Sequence, residues 1–167
     1  RKKVAHTSWM NETLGTTTRG SRAEFPALAL IIGRSTTIGG ADIVVYDLTD
    51  PTTPMWISFI YTTTNHLYAP PTALTAINGH IYITTGNGLT DIDFILDITT
   101  VRDNTGIATA IGALSRRNDG TGKGGYSGQG LAYWTSNDVA AIILPLTPPN
   151  PNRFGLPNPT VAVATAG

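Results

Sequence analysis

The sequence lacks cysteine, and two of the strongest helix formers are nearly absent from it. Glu occurs only at positions 12 and 24, and Lys only at positions 2, 3 and 123. Without cysteine there can be no disulfide, no thiolate nucleophile and no Cys-ligated metal. The scarcity of Glu and Lys disfavours helices, whereas the 27 Thr residues favour strands. Composition therefore predicts an all-β protein.

Charge and long apolar runs are scarce as well. The 11 basic and 11 acidic residues cancel, and the only basic cluster is the terminal Arg1-Lys2-Lys3. This pattern predicts no positively charged surface that could bind nucleic acid or an anionic membrane. No apolar run has the length of a membrane-spanning helix, so we expect no membrane insertion. No signal peptide is recognisable, and because residue 1 is Arg we expect the chain to be a piece of a longer protein.

The stretch from Ala73 to Thr99 has the clearest structural pattern. Asn78-Gly79 and Asn87-Gly88 lie between apolar runs, and Asn-Gly is typical of tight hairpin turns. The stretch therefore predicts a three-stranded antiparallel meander.

The last strand of this meander is predicted to alternate between apolar and acidic residues. Its apolar residues are expected on a buried face, and Asp91, Asp93 and Asp97 on the opposite, solvated face. A calcium site is an alternative use of these carboxylates, but a straight strand separates residues 91 and 97 by roughly 20 Å. We therefore interpret them as the wet face of the sheet.

Further strands are predicted on both sides of the meander. Residues 27–32 and 138–146 are apolar at almost every position, which predicts strands buried on both faces. The other predicted strands cover 41–48, 55–61, 131–135 and 159–167, and the predicted loops cover 62–72, 115–130 and 147–159. Residues 107–114 fit either a strand or a short helix, and we favour the strand. We divide the chain into an irregular N-terminal arm at 1–25, anchored by Trp9 and Met10, and a β-rich domain at 26–167.

Two segments of the β-rich domain are similar to each other. GADIVVYDLTD (40–50) and GLTDIDFILDIT (88–99) share a glycine, an Asp-Ile pair, an apolar run and a closing Asp-apolar-Thr. A period of roughly 40 to 50 residues is typical of β-propeller blades. The pattern predicts antiparallel sheets in about three propeller-like blade repeats, truncated at the C-terminal end. An ordinary β-sandwich is the alternative. An incomplete propeller exposes sheet edges, so we expect covering subunits, including other copies of the chain.

The motifs that could carry catalysis are incomplete. Glycines 120, 122 and 125 satisfy G-x-G-x-x-G, but no strand precedes them and no helix follows. His6, His66 and His80 lack the spacing of zinc ligands. We therefore predict no catalytic residue, no metal and no cofactor.

Aromatic and basic residues of the loops are the candidate binding residues. Exposed aromatics beside Gly- and Ser-rich loops commonly stack on sugars or anchor partners, and Tyr126 and Trp134 are placed in this way. Arg116 and Arg117 open the same loop region. We predict contacts through Tyr126, Trp134, Arg116 and Arg117.

Two resemblances suggest a biological setting. ADIVVYDLTDPTTPMWISF resembles short propeller repeats that end in an Asp-apolar-Ser/Thr-Asp-Pro-x-x-Pro turn. In order, FPALALIIG, DLTDPTTPMWISF, LTAINGHIYITTGNG and SNDVAAIILPLTPPNPNRFGLPNPTVAVATAG resemble a region of large virion proteins of marine tailed bacteriophages, over roughly residues 25–167. Members of that family are commonly described as tail-fibre-like or structural.

The resemblance implies a non-enzymatic structural component of the phage particle, located in the virion. We expect it in the tail or tail-fibre apparatus, in assembly or host attachment. Its expected partners are other virion proteins, further copies of itself and a host-surface glycan or receptor. A secreted or surface glycan-binding or glycan-active propeller and a capsid-surface decoration protein are the alternatives, with an intracellular scaffold domain ranked below them.

Overall fold

The computed structural model describes residues 7–35, 41–60, 67, 69–109, 112–120, 122, 124–145, 151–152 and 155–166. These residues form β-strands and two short 3-10 helices, Ser8–Asn11 and Leu114–Arg116, which confirms the predicted all-β class. The strands are β1 (Ala29–Ser35), β2 (Ala41–Asp47), β3 (Met55–Ile60), β4 (Pro71–Ile77), β5 (His80–Thr85), β6 (Gly88–Asp93), β7 (Ile98–Asp103), β8 (Gly106–Thr109), β9 (Ser136–Ile142) and β10 (Thr160–Thr165).

The strands form three antiparallel sheets. The first has the order β1-β2-β3, the second is the meander β4-β5-β6-β7-β8, and the third is the pair β9-β10. No sheet formed by the described residues is closed. The predicted three-stranded meander is therefore part of a larger, five-stranded sheet.

One apolar core lies between the three-stranded and the five-stranded sheet. Alternate residues of each strand face it, as the period of two requires. The three-stranded sheet contributes Ile43, Val45, Ile57 and Phe59, and the five-stranded sheet contributes Ile81, Ile83 and Ile92. A second, smaller cluster lies on the opposite face of the five-stranded sheet, where Val139 of β9 packs with Tyr82 and Leu89. The β9-β10 pair thus covers part of that outer face.

The meander turns fix the register of the five-stranded sheet. Asn78 and Gly79 occupy the first turn with positive φ angles of 49° and 83°, as a type I′ hairpin requires. The second turn consists of Gly86 and Asn87, because Thr85 pairs with Gly88. The predicted Asn87-Gly88 turn was thus displaced by one residue.

The predicted third strand of the meander is interrupted. β6 ends at Asp93, residues 94–97 form a turn, and β7 begins at Ile98. The Asp93 carboxylate accepts hydrogen bonds from the backbone N–H groups of Ile95 and Leu96, at 2.7 and 2.9 Å. These bonds offer the backbone an alternative to the sheet ladder, which ends the strand.

The two apolar runs predicted to be buried on both faces were wrongly interpreted. Leu30 and Ile32 of β1 and Ile142 of β9 are exposed, because each of these strands belongs to a sheet with one uncovered face. The predicted strand at 131–135 does not form, and β9 pairs instead with β10. The predicted strand at 107–114 ends at Thr109, and Leu114 begins a 3-10 helix.

The N-terminal arm is irregular but firmly packed. Trp9 is buried in the main core, and Arg19 bridges to Ile57 at the edge of β3. Residues 1–6, 36–40, 61, most of the predicted loop 62–72, residues 110–111, 121, 123, 146–150, 153–154 and 167 lie outside the described residues.

Candidate functional site

A histidine and two aspartates lie together on the outer face of the five-stranded sheet. His80 opens β5 opposite Asp93 of β6, and Tyr82 lies opposite Asp91. Directly opposed residues of antiparallel strands point to the same face. The register therefore gathers these four side chains, which we call the His80 cluster.

The His80 ring lies between the two carboxylates. Its Nδ1 is 3.0 Å from Asp91 Oδ1, and its Nε2 is 4.0 Å from Asp93 Oδ1. The ring stacks on Tyr82 with a centroid distance of 5.4 Å and an interplanar angle of 3°. Only 11 % of the His80 side chain is exposed. The imidazole is thus held in one orientation, with each nitrogen facing an acid.

The surroundings of His80, Tyr82 and Asp91 raise the pKa of each of these side chains. Burial alone would lower the pKa of His80, but the hydrogen bond and charge of Asp91, together with the charge of Asp93, raise it. Burial raises the pKa of Asp91, although His80 opposes this. Burial and the two carboxylates also raise the pKa of the Tyr82 hydroxyl.

The chemistry available to the cluster is limited by its existing bonds. Asp93 Oδ1, the atom nearest His80 Nε2, already accepts hydrogen bonds from the two backbone amides of the 94–97 turn. Among the residues that the structure describes, no group of three or more His, Asp or Glu side chains could hold a metal ion. The arrangement can bind and release a proton between fixed partners.

The predicted wet face of Asp91, Asp93 and Asp97 is wrong. Asp93 and Asp97 are buried, and Asp91 is partly buried against His80. Asp97 lies at the end of the 94–97 turn with a φ of 62°. Because that turn rotates the chain between β6 and β7, Asp97 leaves the strand face on which Asp91 lies.

Asp97 fastens the N-terminal arm to the turn. Its carboxylate accepts hydrogen bonds from the Ser8 backbone N–H at 2.7 Å and the Ser8 hydroxyl at 2.9 Å. It also accepts a bond from the Leu114 backbone N–H at 3.3 Å. Beside it, the Trp9 indole N–H donates to the Phe94 carbonyl oxygen at 3.0 Å. The 94–97 turn is thus the docking point of the arm.

The predicted loop residues occupy different environments. Trp134 is 52 % exposed and meets exposed Tyr133 edge to face at 6.4 Å. Tyr126 is partly buried next to Ser127, which bridges to β8. The Arg116 guanidinium is exposed and pairs with Asp119 at 2.8 Å. The structure therefore places Trp134 and Arg116 where a partner can reach them.

Arg117 points inward instead. Only 2 % of its side chain is exposed, and it donates hydrogen bonds to Glu12 and to the carbonyl oxygens of Ser58, Leu114 and Thr18. These bonds tie the arm to β3, so its guanidinium is not presented to a partner.

The outer face of the three-stranded sheet is a second candidate surface. Exposed apolar side chains lie along it: Leu28, Leu30, Ile32 and Ile60. Arg34 and Asp42 form an ion pair of 2.6 Å at one end of this face. An open groove of about 250 Å³ lies beside that pair, lined partly by Thr17, Tyr46 and Met55. Sequence reasoning missed this surface because it assigned β1 to the interior.

Comparisons with known proteins identify no relative. No family model matches the chain, and no curated protein or solved structure shows significant similarity to it. Among the described residues, no helix is long and apolar enough to cross a membrane.

Proposed function

We propose that this protein is a non-enzymatic structural component of a tailed-phage particle, acting in the tail or tail-fibre apparatus during assembly or host attachment. The observation that carries the proposal is the row of exposed apolar side chains Leu28, Leu30 and Ile32, which begins just before β1 and continues along it, with Ile60 exposed on β3. Exposed apolar side chains grouped on one surface mark sites of protein association. The resemblance of the ordered sequence motifs to a region of phage virion proteins supplies the setting.

The composition of this face suits contact with another protein subunit. Leu30 and Ile32 alternate with inward-facing residues of β1, so their side chains project from one side of the sheet. β1 is an edge strand of the described three-stranded sheet, and an edge strand is the position at which a further strand can be added. Apolar side chains and an edge strand together are the features that assembled β-proteins use at subunit boundaries.

A propeller-like arrangement belongs to the same proposal. Strands β4 to β7 form a four-stranded antiparallel meander, the unit from which a blade is built. The inner face of that meander shares a core with the three-stranded sheet, as the faces of neighbouring blades do. Further blades would come from other parts of the parent protein or from other subunits.

Mass spectrometry of purified particles tests the virion role. We expect peptides of this chain to copurify with infectious particles through a density gradient, and immunolabelling to place them on the tail. Labelling over the capsid would favour the decoration protein instead. Detection only in infected-cell lysate, and never in particles, would refute the proposal.

Substitutions on the proposed contact face give a sharper test. Leu30→Lys and Ile32→Lys add charge to an exposed position, so the fold should persist while incorporation into particles falls at least about tenfold. Leu156→Lys is the matched control, because Leu156 is also exposed but lies outside this face. Equal incorporation of all three variants would show that the face is not a contact.

A glycan-binding role is the second candidate function, favoured by the exposed pair Tyr133 and Trp134. Aromatic rings at the surface stack on the apolar faces of sugars. If the protein binds host polysaccharide, Trp134→Ala should weaken retention about tenfold, whereas Tyr126→Ala should have a smaller effect because Tyr126 is partly buried. Lack of retention by the unmodified protein would exclude this role.

A further inference from the structure

The His80 cluster is connected to the N-terminal arm by a short series of bonds. His80 faces Asp93, Asp93 holds the amides of the 94–97 turn, and that turn holds Ser8 and Trp9. Every link is a contact between described residues. The ionisation of one side chain can therefore affect a docking contact on the far side of the turn.

We propose that His80 is a proton-controlled latch: when protonated it holds Asp93 and the 94–97 turn in the form that docks the N-terminal arm, and when it loses that proton the docking loosens. The geometry at the ring gives the reason. An imidazolium presents an N–H to each carboxylate. A neutral ring that keeps its Nδ1 proton on Asp91 turns an unprotonated Nε2 towards Asp93 Oδ1, 4.0 Å away.

The Asp93 carboxylate is the group that responds to the charge of His80. Asp93 Oδ1 accepts the Ile95 and Leu96 amides and is also the oxygen nearest His80 Nε2. Loss of the ring's charge replaces attraction by the repulsion of two lone pairs, in a site where little water can screen it. Movement of Asp93 away from the ring would strain the two amide bonds that shape the turn.

Among the residues that the structure describes, few other charges act on the ring. Its own strand contributes Tyr82, β6 contributes Asp91 and Asp93, and β4 contains no ionisable residue. The β9-β10 pair carries one, Asp138, which is exposed and accepts the Val139 amide. On β7, Arg102 lies opposite Leu89, at the other end of β6 from Asp93. The two aspartates therefore dominate the environment of His80.

The direction of the pKa shift agrees with this role. The pKa of His80 is raised from its ordinary value of 6.5, so the ring keeps its proton to a higher pH than a free histidine does. The latch should be closed below about pH 6.5 and open as the pH rises through the higher folded-state pKa.

The test is amide hydrogen exchange resolved by NMR on the complete chain. Protection factors of Ile95, Leu96 and Ser8 would be measured from about pH 5.5 to about pH 8.5, on either side of the ordinary histidine pKa. We expect protection in the unmodified protein to fall about fivefold as the His80 ring titrates, in keeping with the loss of one partly buried charge interaction. Constant protection while the His80 resonances titrate would refute the latch.

Two internal controls accompany the measurement. The amides of Thr52 and Thr105 are held by Asp50 and Asp103 in similar Asp-x-Thr turns, and we expect their protection to be independent of pH over this range. A fall of equal size at these amides would overturn the proposal.

Substitution separates His80 from the other histidines. His80→Gln keeps His6 and His66 but cannot be protonated, so protection of Ile95 and Leu96 should no longer depend on pH; an unchanged pH dependence would assign the effect elsewhere. Asp91→Asn is a second variant that keeps the ring. It should shift the transition to lower pH, and an unshifted midpoint would contradict the proposal even if His80→Gln failed to fold.

Discussion

Trp9 and Phe94 are joined in two ways across 85 positions of sequence. The Trp9 indole N–H donates to the Phe94 carbonyl oxygen at 3.0 Å, and the two rings meet edge to face at 5.5 Å. The irregular arm thereby supplies a buried aromatic side chain to the centre of the main core. The stability of the main core therefore depends on Trp9, which belongs to none of the three sheets.

Trp9→Ala should be among the most destabilising substitutions. It removes a large buried side chain, for which the expected cost is about 3–5 kcal/mol, whereas Trp9→Phe loses mainly the indole hydrogen bond, about 1–2 kcal/mol. Urea unfolding measures both. Trp134→Ala is the control, since Trp134 is half exposed, and its expected effect is within about 0.5 kcal/mol. Equal effects at the two tryptophans would contradict the packing described for the arm.

Adjacent arginines should differ sharply in their contribution to stability. Arg117→Ala removes the buried guanidinium that donates to partly buried Glu12 and to the carbonyl oxygens of Ser58 and Thr18, with an expected cost of about 3–5 kcal/mol. Arg116→Ala removes only an exposed ion pair with Asp119, worth at most about 0.5 kcal/mol. Chemical denaturation of the two variants under identical conditions checks the difference. Similar midpoints would show that the Arg117 network is not formed.

The glycine at position 20 permits close approach of the arm to β3. Its N–H donates to the Trp56 carbonyl oxygen at 2.9 Å, and a Cβ there would lie 1.8 Å from the Met55 oxygen. Gly20→Ala should therefore cost about 1–3 kcal/mol through enforced backbone movement. At Gly125 nothing lies within 4 Å of an added Cβ, so Gly125→Ala should be neutral or slightly stabilising, within about 0.5 kcal/mol. Thermal unfolding distinguishes the two.

Stability should fall both at higher pH and in strong acid, and the pKa shifts give the direction of each change. The raised pKa of His80 means that its contribution is complete below about pH 6.5 and is lost as the pH rises through the higher folded-state pKa. The raised pKa of Asp91 acts in the same direction at lower pH. The Thr49 and Thr52 hydroxyls lower the pKa values of Asp47 and Asp50, whose contributions are present above about pH 3.8 and are lost in stronger acid.

Melting temperature measured across this range should therefore be highest in mildly acidic solution and decline above neutrality. The decline above neutrality should be smaller in His80→Gln, while the decline in strong acid stays unchanged. If the melting temperature of that variant declined above neutrality by the same amount, His80 would not be the cause of the decline.

Local turn chemistry explains what could be predicted from the sequence. Pro51 and Pro54 separate β2 from β3, and both strands follow the predicted ranges closely. Asn78-Gly79 sets the turn before β5, which begins directly after it at His80. The all-β class follows from composition. These features depend on a few neighbouring residues, which is why one sequence suffices to identify them.

The site was missed because of an error of one residue. A turn centred on Asn87 and Gly88 would place Tyr82 opposite Asp93 and His80 opposite Ile95. The turn at Gly86 and Asn87 instead gives the pairs His80–Asp93 and Tyr82–Asp91. A shift in turn position changes every cross-strand pair that follows from it.

The interrupted strand after Asp93 had no distinctive signal. The alternation of apolar and acidic residues satisfies a strand, and the same Asp93 can cap a turn. Ser8 and Trp9 dock on residues 94–97, and these contacts lie far apart in sequence, so the local pattern does not reveal them.

The placement of the arm has a consequence for synthesis of the chain. Ser8 contacts Ser115 across 107 positions, and Glu12 contacts Arg117 across 105. A ribosome makes the arm first but supplies Phe94 only 85 residues after Trp9, and Ser115 and Arg117 later still, so the docking site of the arm is incomplete in the nascent chain until then. Closure of so long a loop is slow relative to hairpin formation. The sheets should thus assemble before the arm docks, and the newly made protein passes through an interval in which its main core lacks its N-terminal tryptophan.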